Sequence, residues 1–566
     1  MALRNATPLK FSPASVSDTI DGTNVFAGAC ANLANLIPDP STRNLWQGRP
    51  ASTKLVDFNV GSGPFSSGFS SGFQQGFSPF NSAFISVMDI FGDVAYGMIA
   101  TSQFAGHDVP FAFNLTTKSF NAITGATLAN TPASPATSGA WTPPSMDLIG
   151  TKIIITHPGF NFGGGFVFGV IDISNVAAPT WTSQNTTTNA LPALPVWVKN
   201  FNGRAYFLVN FPGDSTKNGA WYSDVLVPTT ITNASQIITF EDTQPLTCAA
   251  GLGLYNQQGG IVQALIVFKN TAQIYQVTGD AASPGGSNLA RNSMNVATGT
   301  NSPLSVTTTP KGLAFLAPDG LRLIDFTAKI SDPIGVDGEG VNTPFIYSVV
   351  PSRVQAACNQ NVLRVSVQNG NASGAPQQEY WYDISRHKWS GPHTFPASMI
   401  SAYKNTFIMA PVGVLASLWQ SDVVQSSTST FVENGTQMTF NWASCMLPDT
   451  EQMAEYAMSE TTLNMALIGG QSVVSVQALD QNSAVLGQVF VQPLGTLPLW
   501  GQFNWGQGLW GGVQSALFPR PLDWVKPIEF RRLQIQATGN LILGFKIGDL
   551  FLRYQKTGYM TVRAVA

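Results

Sequence analysis

Histidine and cysteine are the side chains with which this sequence could most readily bind a metal ion or carry out catalysis. The candidates are His107, His157, His387 and His393, and Cys30, Cys248, Cys358 and Cys445. The two closest histidines flank Trp389 without metal-ligand spacing, and the cysteines contain no C-x-x-C pair, so a structural zinc site is not expected. We therefore interpret the histidines as partly exposed residues of loops or strand ends, and the cysteines as buried free thiols.

One acidic stretch, 332-DPIGVDGEG-340, could form a calcium loop. It lacks the alternating Asp/Asn ligands and the terminal Glu of a known calcium-loop motif, so a polar loop is the simpler interpretation. The sequence also contains no S-x-D-x-G-x-x-W box of the sialidase kind and no G-x-x-x-x-G-K-[ST] phosphate loop. The expectation is a protein that is not an enzyme and has no catalytic, cofactor or metal site.

Charge is scarce in this chain of 566 residues. Charged residues make up 10% of it, against about 25% in ordinary soluble domains, and the formal net charge is −3. Without a basic block, tight binding to a nucleic-acid backbone is not expected, although DNA could pass close by without sticking. A surface with so little charge suggests that partners or further copies of the chain cover much of it. Neither a signal peptide nor a membrane span is expected, because no apolar run is long enough.

The elements that must position any site are β-hairpins. The segment 264-ALIVFKNTAQIYQVTGD-280 reads as strand, turn and strand, and the pattern returns about 45 residues later in 303–326, around Pro318-Asp319-Gly320. Comparable units lie at 85–126, 147–181, 196–240, 353–395 and 399–423. The prediction is an all-β protein whose residues 85–440 form a β-propeller of about six to eight blades.

The regions on either side of the propeller have a different character. Residues 1–84 are predicted to be an N-terminal arm, in which 26–36 could form one or two helical turns. The part around Trp46 would be extended, either lying across its own chain or reaching a neighbouring subunit. Phenylalanines recur in a Gly/Ser-rich loop at Phe65, Phe69, Phe73, Phe77 and Phe80.

Residues 441–566 alternate polar and apolar side chains and are predicted to form a β-sandwich-like layer packed on the propeller. This layer could also supply the strand that closes the propeller ring. Within it, Trp500, Trp505 and Trp510 are spaced five apart, and each is followed by glycine. That spacing fits a loop presenting three indoles to one surface.

Several sequence segments, taken in their order along the chain, resemble the tail nozzle proteins of short-tailed bacteriophages. These proteins are also called tail tubular protein B or packaged-DNA stabilisation proteins. The segments are LIPDPSTRNLWQGRPA, LIVFKNTAQIYQVTGD, SPLSV with GLAFLAPDGLRLID, EYWYDISRHKWSG and FRRLQIQATGNLILGFKIGD. The resemblance covers about 33 to 555. It implies a structural virion protein located in the tail, built around a β-propeller.

The same resemblance implies a homohexameric ring below the portal and its adaptor. The ring would continue and gate the channel for double-stranded DNA and retain the genome until ejection. The adaptor is the expected neighbour, with tail fibre or needle proteins as further partners. The alternative from the residues alone is a carbohydrate- or receptor-binding propeller or fibre, with the Trp500–Trp510 loop as its binding surface. A third possibility, a propeller hydrolase, would need carboxylates that converge in the central channel.

Overall fold

The structure is a computed structural model, and the residues that it describes fall into short ranges separated by gaps. They are 7–16, 29–42, 44–58, 84–101, 107–124, 142–160, 165–185, 191–211, 213–214, 218–240, 244–255, 260–270, 273–280, 288–294, 297–334, 345, 350–368, 377–412, 417–447, 454–466, 473–492 and 518–559. Two short 3₁₀ helices, Pro303–Ser305 and Pro351–Arg353, accompany the strands. Within these ranges no helix is long and apolar enough to cross a membrane.

Antiparallel sheets follow one another along the chain and form a β-propeller, which confirms the predicted fold class. Among the described residues six blades have four strands, and blade 5 has three. From the innermost strand outward, blade 1 consists of Phe84–Phe91, Val94–Thr101, His107–Asn114 and Ser119–Phe120. Blade 2 consists of Ser145–Ile149, Lys152–Thr156, Phe166–Asp172 and Thr180–Asn185. Blade 3 consists of Pro195–Phe201, Arg204–Val209, Gly219–Tyr222 and Ile237–Thr239.

The remaining blades continue in chain order. Blade 4 is Leu246–Tyr255, Ile261–Lys269, Gln273–Thr278 and Ala290–Ser293; blade 5 is Thr307–Thr309, Gly312–Ala317 and Gly320–Ile324; blade 6 is Gln355–Asn359, Val362–Gln368, Gln377–Asp383 and Lys388–His393; blade 7 is Ala397–Tyr403, Thr406–Pro411, Ser417–Asp422 and, from the N-terminal arm, Thr53–Asp57.

Apolar side chains hold each blade to its neighbours. Along each strand, successive side chains point alternately toward the preceding blade and the following blade. Each interface between two blades therefore buries its own cluster of apolar side chains. The ring closes where Met399 and Ile408 of blade 7 pack with Ile85 and Val109 of blade 1. Blades 5 and 6 join through Leu316 and neighbouring residues, whose cluster continues into the C-terminal region. The propeller and the C-terminal region therefore share one core.

The strand that completes blade 7 comes from the N-terminal arm. Thr53–Asp57 pairs antiparallel with Ser417–Asp422, so the last blade combines the two ends of the propeller sequence. The suggestion that the C-terminal layer closes the ring is therefore wrong. The arm can reach this edge because it has already crossed blade 6, and its half-buried residues cover backbone groups that would otherwise form an open sheet edge.

A second strand of the arm joins the propeller to the C-terminal region. Ala29–Ala34 pairs with the outer strand of blade 6 at Gly391 and with Thr439–Ser444 on its other side. The expected helical turns in 26–36 are wrong for the described part, because these small residues form a strand that ends at Asn35, where φ is +59°. Blade 6, the arm and part of the C-terminal region thus form a continuous sheet.

The C-terminal region is a sandwich of two sheets, as predicted. One sheet extends the blade 6 assembly through Thr439–Ser444, Leu533–Asn540, Val474–Asp480 and Val485–Val491. The other contains Ala454–Ala466, Lys546–Tyr559, Phe518–Pro521 and Ile528–Phe530, together with Thr7–Phe11, Leu36–Pro38 and Trp46–Gly48 of the arm. Two short pieces complete the described strands, the hairpin Val432–Glu433 with Thr436–Gln437, and Ser15–Val16 beside Ala29–Ala34.

The arm is anchored on its own chain. Trp46 is fully buried, and its indole N–H donates to the Pro13 carbonyl over 3.2 Å. From the sequence, this segment is expected either to lie across its own chain or to reach a neighbouring subunit. In the structure it lies across its own chain.

A buried ion pair fastens the arm between the propeller and the sandwich. The Arg49 guanidinium donates to both carboxylate oxygens of Glu433, at 3.0 and 2.7 Å, and both side chains are at most 5% exposed. The same guanidinium donates to the Asn35 side chain over 3.0 Å and to the Thr394 carbonyl, at the link between blades 6 and 7, over 2.7 Å. Because Arg49, Glu433 and Asn35 are all buried, these bonds compensate the loss of water around the charges.

A second buried pair lies nearby within the propeller. Arg364 of blade 6 contacts the Glu379 carboxylate at 2.6 Å, and both side chains are 2% exposed. The other Glu379 oxygen accepts the backbone N–H of Ala397, the first residue of blade 7, over 2.9 Å. The guanidinium stacks 4.7 Å from the Trp381 ring centre. This pair therefore ties blades 6 and 7 to each other just where the arm crosses them.

We expect Arg49→Met to lower the free energy of unfolding by about 3–5 kcal/mol, because it leaves the Glu433 carboxylate buried without a cation. Arg49→Met combined with Glu433→Leu should recover much of this loss, since no buried charge then remains. The control is Arg553→Met, which breaks a pair whose members are 62% and 63% exposed and should change stability by about 1 kcal/mol or less. Urea denaturation of the variants measures these differences; equal losses for Arg49→Met and Arg553→Met would contradict the interpretation.

Candidate functional site

The innermost strands of the blades surround a central cavity of about 460 Å³. Its wall exposes polar and apolar surface in similar amounts, and the apolar part includes Met88, Met146, Trp197, Leu304 and Met399. A cavity of this volume is in the range of small-molecule sites. Charged groups on its wall are therefore the first candidates for a function.

Hydrogen bonds between neighbouring blades hold the cavity wall in place. The Trp197 indole of blade 3 donates to the Ala249 carbonyl of blade 4 over 2.9 Å. The Ser145 hydroxyl of blade 2 accepts the backbone N–H of Val198 over 2.8 Å. These bonds lie on the innermost strands, so the ring itself holds this part of the cavity wall in place.

Asp89 is the acidic residue of the cavity wall. It lies on the innermost strand of blade 1 and is half-buried. One carboxylate oxygen, Oδ1, accepts the N–H of Ile90 at 2.8 Å and faces the Ser401 hydroxyl at 3.4 Å. Burial raises the pKa of this carboxyl, and the nearby Asp147 charge adds to the effect against the opposing influence of Lys199.

Lys199 is the basic residue of the wall, and it is already paired. Its ammonium lies 2.8 Å from Oδ2 of Asp147, which also accepts the backbone N–H of Asn200 over 2.8 Å. The other Asp147 oxygen accepts the N–H of Leu148. Asp147 and Lys199 thus neutralise each other across blades 2 and 3.

Asp89, Asp147 and Lys199 are not among the candidate residues predicted from the sequence. A usable signal exists, because each is a charged residue in the first strand of a blade, and such strands are otherwise mostly apolar or uncharged. In a chain with 10% charged residues, that position is unusual and points to the central channel.

The histidines are placed by the structure in separate parts of the chain. His157 and His393 are 2% and 5% exposed, so the expectation of partly exposed side chains is wrong for these two. The His157 ring bonds Asp108 at 2.7 Å, which compensates its burial. His387 is exposed and lies beside the Tyr382 hydroxyl and the Lys311 ammonium. The His107 side chain lies outside the described residues.

Among the described residues the four cysteines form no disulfide, as predicted. Cys30 and Cys248 are buried, and burial raises the pKa of both thiols. Cys358 and Cys445 are only half-buried, so the prediction of burial is wrong for them. Among the described residues no three His, Cys, Asp or Glu side chains are grouped so that they could hold a metal ion.

Three predicted loops cannot be compared with the structure. Phe65–Phe80 and Trp500–Trp510 lie outside the described residues, as does 335–340 of the acidic stretch.

Solved structures with a similar arrangement include enzymes and other propellers. A puromycin hydrolase is 9% identical, with a TM-score of 0.35 and matches over 64% of this chain and 58% of that one. A puromycin-hydrolyzing peptidase of Mycobacterium tuberculosis is also 9% identical, with a TM-score of 0.37 over 64% and 57%. This chain therefore spans less than two thirds of those enzymes. The propeller domain of the Trilobed protease from Pyrococcus furiosus is 11% identical, with a TM-score of 0.32 over 63% and 98%.

No family model and no curated protein matches this chain. The expectation that it is not an enzyme is contradicted by the puromycin-hydrolysing neighbours, and we withdraw it. The physical reason is that a propeller is a scaffold that also occurs in hydrolases, so missing motifs do not exclude an activity. At TM-scores below 0.5, these neighbours carry no argument for a particular reaction in this chain.

The buried His393 predicts a pH dependence of stability. Its Nδ1 accepts the N–H of Asn35 over 3.0 Å, and burial, with Arg49 and Arg364 nearby, holds the pKa of the ring well below 6.5. The unfolded chain then binds more protons than the folded one below pH 6.5, so stability falls as the pH is lowered. Between pH 6.5 and 5.5 this residue should contribute a loss of up to about 1 kcal/mol.

His393→Asn supplies an uncharged acceptor and should remove that part of the pH dependence in urea denaturation. The matched control is His387→Asn. His387 is exposed, and its backbone φ of +55° is one that asparagine also tolerates. An unchanged slope in His393→Asn would contradict the assignment.

Proposed function

We propose that this chain is a structural virion protein that forms the tail nozzle ring of a short-tailed bacteriophage, below the portal and its adaptor. In this role it continues and gates the DNA channel and retains the genome until ejection. The observation that carries the proposal is the attachment of the propeller to the sandwich by a shared sheet and by the buried Arg49–Glu433 pair. A part that transmits force through a particle needs such a connection between its halves.

The DNA passage would lie between copies of the chain. The cavity within one propeller has a volume of about 460 Å³, which suits a small molecule and not a duplex. Copies arranged around a cyclic axis leave a wider passage at the centre. The low content of charged residues supports this role, because a wall with few cations releases few counterions and holds DNA weakly.

The purified chain should form a ring of six copies, alone or on portal–adaptor complexes. Light scattering should then give six times the mass of the 60.3 kDa chain, and negative-stain images should show rings. A stable monomer that never joins portal–adaptor complexes and binds a glycan would instead favour the carbohydrate-binding alternative.

Deleting residues 62–79 should reduce ring assembly or DNA retention, because the phenylalanines of this segment are proposed to pack on a neighbouring subunit or close the passage. A variant of unchanged length, with serine at Phe65, Phe69, Phe73, Phe77 and Phe80, separates loss of the aromatic rings from loss of reach. Particle yield, DNA content and infectivity are the measurements. Full and infectious particles from both variants would contradict this role for the segment.

A further inference from the structure

Among the described residues of the cavity wall, Asp89 carries a negative charge with no cation in direct contact. Asp147 and Lys199 form a pair of their own at 2.8 Å, which leaves Asp89 as the remaining charge among these three groups. A half-buried carboxylate is costly unless a cation or further hydrogen bonds stabilise it.

The Asp89 carboxylate has an unused oxygen. The hydrogen bonds from Ile90 and Ser401 both go to Oδ1, and among the described residues Oδ2 has no hydrogen-bond partner. Because the side chain is half-buried and lines the cavity, a ligand there can reach it. A bound cation would therefore gain a charge-assisted hydrogen bond that no residue of the wall supplies.

The rest of the wall selects the kind of cation. Trp197, Met88, Met146 and Met399 give the cavity apolar surface, and an indole face also attracts an organic cation. A bare metal ion is disfavoured, because the described residues place no group of three ligands there. An anion would find the Lys199 ammonium already engaged by Asp147.

We propose that the central cavity of the propeller binds a small organic cation, a primary amine with a short apolar chain. The ammonium group donates to Asp89, and the chain packs against the methionine and tryptophan side chains. This inference concerns the interior of one propeller and is independent of the proposed ring.

The test uses n-butylamine with the full chain at pH 7.5, where a primary amine is protonated, and n-butanol as the uncharged comparison. Binding is followed by ligand-observed NMR and calorimetry. The wild type should bind the amine at least tenfold more tightly than the alcohol. Asp89→Asn keeps an acceptor for the Ile90 N–H and should weaken amine binding at least tenfold.

The matched control is Asp172→Asn, which removes a carboxylate outside the cavity and keeps an acceptor for the Ser174 N–H. It should bind the amine as the wild type does. Gly251→Leu provides a second variant that leaves Asp89 intact, since a Cβ at Gly251 meets no atom within 4 Å and a larger side chain would fill the cavity. It should abolish binding of the amine.

Absence of amine binding to the wild type overturns the proposal. Equal binding of amine and alcohol, or unchanged amine binding in a folded Asp89→Asn or Gly251→Leu variant, does so as well. If Asp89→Asn fails to fold, the comparison of Gly251→Leu with the wild type decides whether the cavity is the site.

Discussion

The arrangement of this protein depends on the buried contact between Arg49 and Glu433. The two side chains lie 384 residues apart in the sequence, and neither has water to replace its partner. Around them meet the arm, the link between blades 6 and 7, and the first hairpin after the propeller. A pair of this kind adds little net stability over an apolar replacement, but separating its partners is costly, which disfavours other arrangements of the segments that it joins. Its value here is that it defines how the propeller and the sandwich are attached.

Within the propeller, apolar clusters repeat between neighbouring blades. Each cluster is built from two neighbouring sheets, and the ring closes when blade 7 meets blade 1. Closure requires the arm, since Thr53–Asp57 supplies the outer strand of blade 7. An earlier strand of the same arm, Ala29–Ala34, pairs with the outer strand of blade 6. One segment of the chain therefore completes the ring and also joins it to the sandwich.

Much of the fold could be predicted from local sequence, and the reason is turn chemistry. Gly92 and the pair Asn202-Gly203 have positive φ values of 66°, 51° and 72°, and such residues mark tight hairpins between alternating strands. The arm's pairing with blade 7 could not be predicted, because it joins strands at opposite ends of the chain by backbone bonds that leave no local pattern. The position of Asp89 in the cavity wall is not among the sequence predictions either. A single acidic residue within a strand does not by itself indicate a cavity, and only the closed ring brings the innermost strands around one.

The most direct measurement for the nozzle account is an electron cryomicroscopy reconstruction of the tail of a particle that contains this chain. The account predicts six propellers around the DNA channel below the portal adaptor, each joined to its sandwich through the arm, with the passage between the copies. A reconstruction that places the chain at the tips of fibres, or finds it absent from the particle, would contradict it.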